Sequence, residues 1–332
     1  MLITKIKPVF KKDSLKIVNN SSKVFLTLIL WILAITVNAT VYYVSNTGSD
    51  SNNGTSADKP WKTLSKISSF AFKPGDQILF KRGDNWIGTV TVSSAGISGS
   101  PVVYGAYGSG MNPKIYGSEL ITGWTKHSGN IYKALFNGNI NQLFLGDERM
   151  KAARHPNSGY IFITSTSGTT SLTSDALDGS KNYTGAKWFG RTNYFTTSLL
   201  NVSSSSSKSL TLNEAPRFPL KAGLGFFLMN KLEFLDSPGE WFYDAASKTI
   251  YLWTATGESP ANYQIRGSVH KDGFYLSGKD YVTINDIHLL HQSEKGIHLN
   301  NSDYIVINKN EFSYADGFGI YSTDATDIKI SN

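Results

Sequence analysis

The chain has no cysteine among its 332 residues. Disulfides and thiolate metal sites are therefore excluded, and packing with backbone pairing must hold the fold. Charge is also scarce, with Asp, Glu, Lys and Arg together at 17%. No apolar run reaches the ~20 residues of a membrane-spanning helix; Val24 to Val37 stops at 14, with Thr27 and Thr36 inside it. What is abundant is glycine, serine, asparagine and aromatics, the last at 13%. That composition predicts an all-β chain with many turns.

Residues 1–39 read as a signal peptide. Lys5, Lys7, Lys11, Lys12, Lys16 and Lys23 form a basic stretch, the apolar run follows, and Val37-Asn38-Ala39 supplies small residues for cleavage. A retained N-terminal anchor is the other reading of this segment. The formal charge of +7 is misleading for the same reason. Six lysines against Asp13 put +5 of it in residues 1–39, leaving +2 on the rest. A nucleic-acid partner is thereby discarded, and no stable membrane insertion is expected after cleavage. The predicted location is secreted, periplasmic or cell-surface.

Residues 40–117 read as an N-terminal cap with the first coil strands: Val41 to Ser45, a short helix between Pro60 and Phe70, then Gln77 to Lys81, Gly88 to Val92, Val102 to Tyr104 and Lys114 to Tyr116. Residues 118–268 show no period and read as a β-sandwich-like insert, with Ser203 to Ser207 at a hairpin tip. From Gly273 a repeat appears. Gly273-Phe274-Tyr275-Leu276, Gly296-Ile297-His298-Leu299 and Gly319-Ile320-Tyr321-Ser322 recur every 23 residues, as do Val282-Thr283-Ile284, Ile305-Val306-Ile307 and Ile328-Lys329-Ile330. Short β-branched strands at that period, without helix, predict the turns of a right-handed parallel β-helix over 269–332. Alternation turns Phe274, Ile297 and Ile320 inward and Tyr275, His298 and Tyr321 outward. Lacking a closing cap after Asn332, the repeat reads as truncated at its C-terminal end.

Two sets of residues carry a resemblance. Val41 to Trp61 (VYYVSNTGSDSNNGTSADKPW) with Lys73-Pro74-Gly75-Asp76 resembles the opening of many secreted bacterial β-helix proteins, polysaccharide lyases included. Ala153-Arg154-His155-Pro156-Asn157, Leu232 to Asp244 (LEFLDSPGEWFYD) and Ile250-Tyr251-Leu252 resemble a narrower group, β-helix glycoside hydrolases of the β-xylosidase and α-fucosidase/xylanase type. The resemblance implies a pectate-lyase-like coil interrupted by a β-sandwich, and a carbohydrate-active protein, foremost a glycoside hydrolase acting on plant or algal polysaccharide. A polysaccharide lyase and a non-catalytic carbohydrate-binding or adhesin β-helix are the alternatives.

Candidate site residues follow from the repeat. Stacked strands stand about 4.8 Å apart, so Tyr275, His298 and Tyr321 make an outer ladder on which a sugar ring can pack. Asp272, Glu294 and Asp316 recur every 22 residues in the preceding loop and are expected to cluster on one edge. Two such carboxyls suit glycosidase chemistry, with Glu294 as acid/base and Asp316 as nucleophile or base; acids also simply favour turns. His298 with Lys295 beside it would suit β-elimination instead, with Lys271, Lys295 or calcium neutralising a uronate. Tyr275, Tyr321, Asp272 and Lys295 are the expected substrate contacts. His288 and His291 read as surface residues, and Arg154 as a tie between insert and coil through Asp147 or Glu148. No cofactor is required and no metal ligands are assigned, calcium being the one ion the acids would accept, including at Asp50, Asp58 and Asp76.

Overall fold

The computed structural model describes residues 39–332, so the segment read as a signal peptide lies, apart from Ala39, outside the described residues. Three parallel sheets wind around one apolar core. The base sheet stacks Val41–Val44, Gln77–Lys81, Val102–Tyr107, Val282–Asn285, Val306–Asn308 and Lys329–Ser331. The flank sheet stacks Asn85–Ile87, Lys114–Tyr116, His288–Leu290 and Glu311–Ser313, and the front sheet Val90–Thr91, Asp272–Ser277, Lys295–Asn300 and Phe318–Thr323. Each rung passes from front to base to flank and returns to the front one strand further on. The register keeps the sequence period: Phe274 pairs with Ile297 and Ile297 with Ile320, each 23 residues on.

Alternation places the apolar residues inside. Phe274, Ile297, Leu276, Leu299, Val282, Ile305, Ile284 and Ile307 are at most 1% exposed and join Trp61, Ile67 and Tyr104 in one core. The corners use left-handed backbone at repeating positions without glycine: Asp286 and Lys309, His291 and Tyr314, Tyr281, Tyr304 and Asp327 all have φ between 51° and 67°. Gly273, Gly296 and Gly319 stack at the start of the front strands for a different reason. A Cβ at Gly273 would lie 2.7 Å from the Gly296 carbonyl oxygen, and one at Gly296 would lie 2.5 Å from both the Gly319 oxygen and Phe312 Cδ1. The rungs close on each other only where no side chain stands between them.

The capping helix is shorter than expected, Leu64–Ser69. Thr63 caps it by accepting from Lys66 N, and Asp50 accepts from the Lys62 and Thr63 amides in turn. Leu64 and Ile67 enter the core, and Tyr42 stacks on Trp61 at 4.7 Å between ring centroids.

Between Lys114–Tyr116 and Asp272–Ser277 the chain builds three further sheets, of four, five and eight strands. The insert is thus three layers rather than the two of a sandwich. The five-stranded sheet is in the middle: Trp241, Tyr243, Ile250 and Leu252 pack on the four-stranded sheet, while Phe242, Tyr251 and Trp253 face the eight-stranded one. The serine run lies within the strand Thr197–Ser206, and the hairpin turns at Ser207, whose φ is 50°.

The insert leaves and rejoins the coil at one corner, between flank and front, where Gly117 O accepts from Val269 N and His270 N. His291 locks that joint. It is fully buried, not on the surface, and stacks on Phe144 at 3.5 Å. Its Nε2 donates to the Asp147 carbonyl, which can only accept, so Nδ1 is bare and accepts from Ser118 Oγ at 2.8 Å. Arg266 Nε donates to the same hydroxyl, and its guanidinium lies over the Tyr116 ring. Burial pushes the His291 pKa down to about 4.

Two outcomes are expected. Gly296→Ala will cost about 2 kcal/mol in urea unfolding through overpacking against a carbonyl, whereas Gly319→Ala, with nothing nearer than 3.6 Å, will cost well under that. His291 is stable in its neutral form, and the unfolded chain takes up the proton first. Stability will therefore fall as pH drops from about 6.5 towards 4, by roughly 3 kcal/mol in all. A His291→Gln variant, weaker at neutral pH, will lack that dependence; equal slopes in both proteins would sink the assignment.

Candidate functional site

The front sheet presents three outward rows. Asp272 is in register with Lys295 and Phe318, Tyr275 with His298 and Tyr321, and Ser277 with Asn300 and Thr323. Tyr275 and His298 ring centroids are 5.1 Å apart, and His298 and Tyr321 5.6 Å. Lys295 Nζ lies 5.2 Å over the Tyr321 ring. Asp272 Oδ2 is 3.4 Å from His298 Nδ1, while Asp272 Oδ1 is buried with no hydrogen-bond partner. The carboxylate therefore orients the imidazole and leaves Nε2 directed away from it. Four of the expected residues, Tyr275, His298, Tyr321 and Lys295, come together with Asp272 on this face.

The three acids do not cluster as expected. A spacing of 22 in a rung of 23 moves each acid one position back along the rung. Asp272 occupies the Lys295 position, Glu294 the position of Lys271 and Gly317, and Asp316 that of Ser293 and His270. Each consequently meets different chemistry. Glu294 is clamped by Lys271 Nζ on one oxygen and Lys295 Nζ on the other, both at 2.8 Å. Hydrogen bonds from Lys271 and then Lys295 lower its pKa to about 2. A carboxyl held ionised in this way does not fit the acid role expected of it.

Asp316 has the opposite environment. Burial raises its pKa, opposed by the nearby Arg149 guanidinium and by a hydrogen bond from Asn141. Asn141 Nδ2 donates to one oxygen and Gln142 Nε2 to the other, the latter at 3.1 Å. Asn141, Gln142 and Arg149 all belong to the insert, so the insert roofs this acid. Together they open on a cleft of about 320 Å³, lined also by Lys151, Arg154, Phe227 and Trp241. Sequence reasoning missed Asn141, Gln142 and Arg149; the one signal was Gly146-Asp147-Glu148-Arg149, a charged turn in a low-charge chain.

The ties between insert and coil differ from expectation. Asp147 accepts from Lys114 and from Tyr116 OH, and Glu148 from Tyr314 OH. Arg154 contributes to neither: it donates to the carbonyls of Pro156 and Gly159 and covers the Phe227 ring at 3.7 Å. Glu240 is 1% exposed, and burial raises its pKa. Lys151 Nζ stands 2.8 Å from it but off hydrogen-bond alignment. Trp241, its neighbour, serves both the core of the insert and the wall of the cleft. At the N-terminal end, Asp76 spends both oxygens on backbone amides, and Asp50 accepts from the Lys62 and Thr63 amides with one oxygen and from the Thr63 hydroxyl with the other.

A family model described as "Periplasmic copper-binding protein (NosD)" matches residues 249–332. The lacto-N-biosidase of Bifidobacterium longum subsp. longum is 37% identical over 78 residues, which cover 22% of this chain and 5% of that protein. A solved structure titled "Glycoside hydrolase" superposes with a TM-score of 0.63 at 14% identity, over 82% of this chain and 65% of that one. A lacto-N-biosidase from Eubacterium ramulus covers 94% of this chain and 32% of its own, with a TM-score of 0.33 at 14% identity. The chain thus matches under two thirds of the length of each of these proteins. Copper does not fit the residues present: cysteine is absent, and among the described residues no three of His, Asp and Glu converge at metal-holding distance. Nor is any helix among the described residues long and apolar enough to cross a membrane. The chain is similar to β-helix proteins over its coil, and its fold is shared with a glycoside hydrolase.

Proposed function

We propose that the protein is a glycoside hydrolase that cleaves polysaccharide outside the cytoplasm, at the corner where the insert overhangs the front sheet. The observation that carries this is a split in acidity between two carboxyls carried on adjacent rungs. Desolvation beneath the insert raises Asp316 although it stays open to solvent, Glu294 is clamped at about 2, and such a split assigns one group as acid and the other as ionised partner. They lie on adjacent rungs, with Gly317 N donating to Glu294 O at 2.9 Å. The roles are the reverse of those read from the sequence.

In this scheme Asp316 donates its proton to the glycosidic oxygen as the C1–O bond breaks. Glu294 stabilises the positive charge growing on the ring or activates the incoming water. Asn141 and Gln142 hold the Asp316 carboxyl by hydrogen bonds, with the Arg149 guanidinium nearby. Tyr275 and Tyr321 offer ring faces to the sugar, with Lys295 and Asp272 as polar contacts. Fold similarity to a glycoside hydrolase and the local identity to a lacto-N-biosidase support the reaction class, and the matched periplasmic family supports the location. A right-handed, pectate-lyase-like coil follows from the strong bias of parallel crossovers to that hand. β-Xylosidase or α-fucosidase type, on plant or algal polysaccharide, is the substrate class carried forward from the sequence.

A lyase is the second reading, favoured by one arrangement: Asp272 orienting His298 beside Lys295, as a base and its cation would require. Reducing-end release and absorbance of unsaturated uronates separate the two. For the hydrolase, Asp316→Asn will lower kcat/KM by roughly 100-fold or more on natural glycan. Activity in the wild type will decline as pH rises through the elevated Asp316 pKa, since the acid must enter protonated. Unsaturated product that survives Asp316→Asn but disappears in His298→Ala would establish the lyase instead.

A further inference from the structure

The eight-stranded sheet of the insert turns Phe226, Leu228 and Trp188 into its own core, so its other face looks outward. Pairing fixes what stands there. Arg154 lies beside Met229, Met229 beside Lys187, and Phe227 beside Phe189. Phe189 and Phe227 stack at 4.8 Å, Arg154 covers Phe227, and the same guanidinium lies 5.9 Å from the Tyr160 ring. At one end this strip enters the Asp316 cleft through Arg149, Arg154 and Phe227. At the other it opens into a hollow of about 310 Å³ lined by Tyr160, Phe162, Arg191, Asn193 and Tyr194. Those rings are uncovered: Tyr194 is 86% exposed, Phe162 59% and Tyr160 45%.

The charge along the strip is mainly positive. Arg149, Arg154, Lys187 and Arg191 take part in no ion pair among the described residues. Glu240 is matched locally by Lys151, and Asp316 lies at the cleft end of the strip, near Arg149. Four cations that form no ion pair among the described residues, interleaved with exposed rings and continuous with a cleft, complement a chain that carries both sugar faces and negative charge. Guanidinium groups bind carboxylate and sulfate oxygens in pairs, and aromatic rings take the pyranose faces.

We infer that this strip is the binding track for an acidic glycan, bearing uronate carboxylates or sulfate esters, running from the Asp316 cleft to the Tyr194 hollow. The inference rests on the proposed hydrolase and narrows its substrate. It accounts for the cations of the insert, which the chemistry at Asp316 does not use beyond Arg149.

Binding is measured on the full chain carrying Asp316→Asn, so that cleavage does not intervene, by titration calorimetry against polygalacturonate, a sulfated galactan, neutral arabinoxylan and polyglutamate. At least one acidic glycan will bind roughly tenfold or more tightly than arabinoxylan, and the arm that does so identifies the charged group. Arg191→Gln and Lys187→Gln will each weaken it roughly threefold, with a steeper loss in high salt. Tyr194→Ala, at an exposed position, will weaken the acidic glycan roughly fivefold and leave polyglutamate unchanged. Equal affinity for neutral and acidic glycans, or polyglutamate binding as tight as any glycan, overturns the inference. So does wild-type affinity in the Arg191 and Tyr194 variants. Turnover is assayed separately in the wild type. Cleavage of neutral glycan without acidic-glycan binding removes the track and leaves the hydrolase; binding along the track with no glycan cleaved or eliminated removes the hydrolase reading.

Discussion

Backbone stacking at a constant 23-residue rung is the constraint on which everything else depends. It holds because Gly273 and Gly296 leave the next rung's carbonyl free to approach where a Cβ would collide. Once the rungs are in contact, the inner column of Phe274, Ile297, Leu276 and Leu299 is wholly buried. The outer column of Tyr275, His298 and Tyr321 is then fixed with no freedom of its own. The apolar core and the outer face of rings are two sides of one periodicity.

The same constraint explains why the acids part company. A residue that repeats every 22 positions cannot keep its place in a 23-residue rung. Asp272 ends beside His298, Glu294 between two lysines and Asp316 under the insert. Three similar carboxyls thereby acquire three electrostatic environments, one paired with an imidazole, one deeply ionised and one raised beneath the insert. A rigid solenoid sorts acidity by register, because one step along the rung exchanges a lysine ammonium for an insert amide.

The insert supplies what a bare coil lacks. A solenoid face is open to water and gives a ligand only one side to hold. By leaving and re-entering at the corner between flank and front, the insert places Asn141, Gln142 and Arg149 over Asp316 and encloses a cleft. The buried joint of Ser118, His291 and Arg266 fixes the angle at which that roof sits.

The sequence by itself determined the periodicity, and with it the parallel rungs, the inward and outward columns and the ladder of Tyr275, His298 and Tyr321. These are local patterns whose period equals that of the structure they build. It also marked the boundaries where that period is interrupted. The corners were not legible, since they use Asp286, Lys309, Tyr304 and Tyr314 in left-handed backbone instead of glycine. Nor were the three layers of the insert, whose strands carry no repeat to align them. Tertiary structure alone decided the rest. Asn141 and Asp316 meet across 175 residues, and His291 is buried only because Phe144 and Ser118 fold back onto it. Acidity, burial and the identity of a cleft depend on which distant side chains arrive, and no spacing within a single strand encodes that arrival.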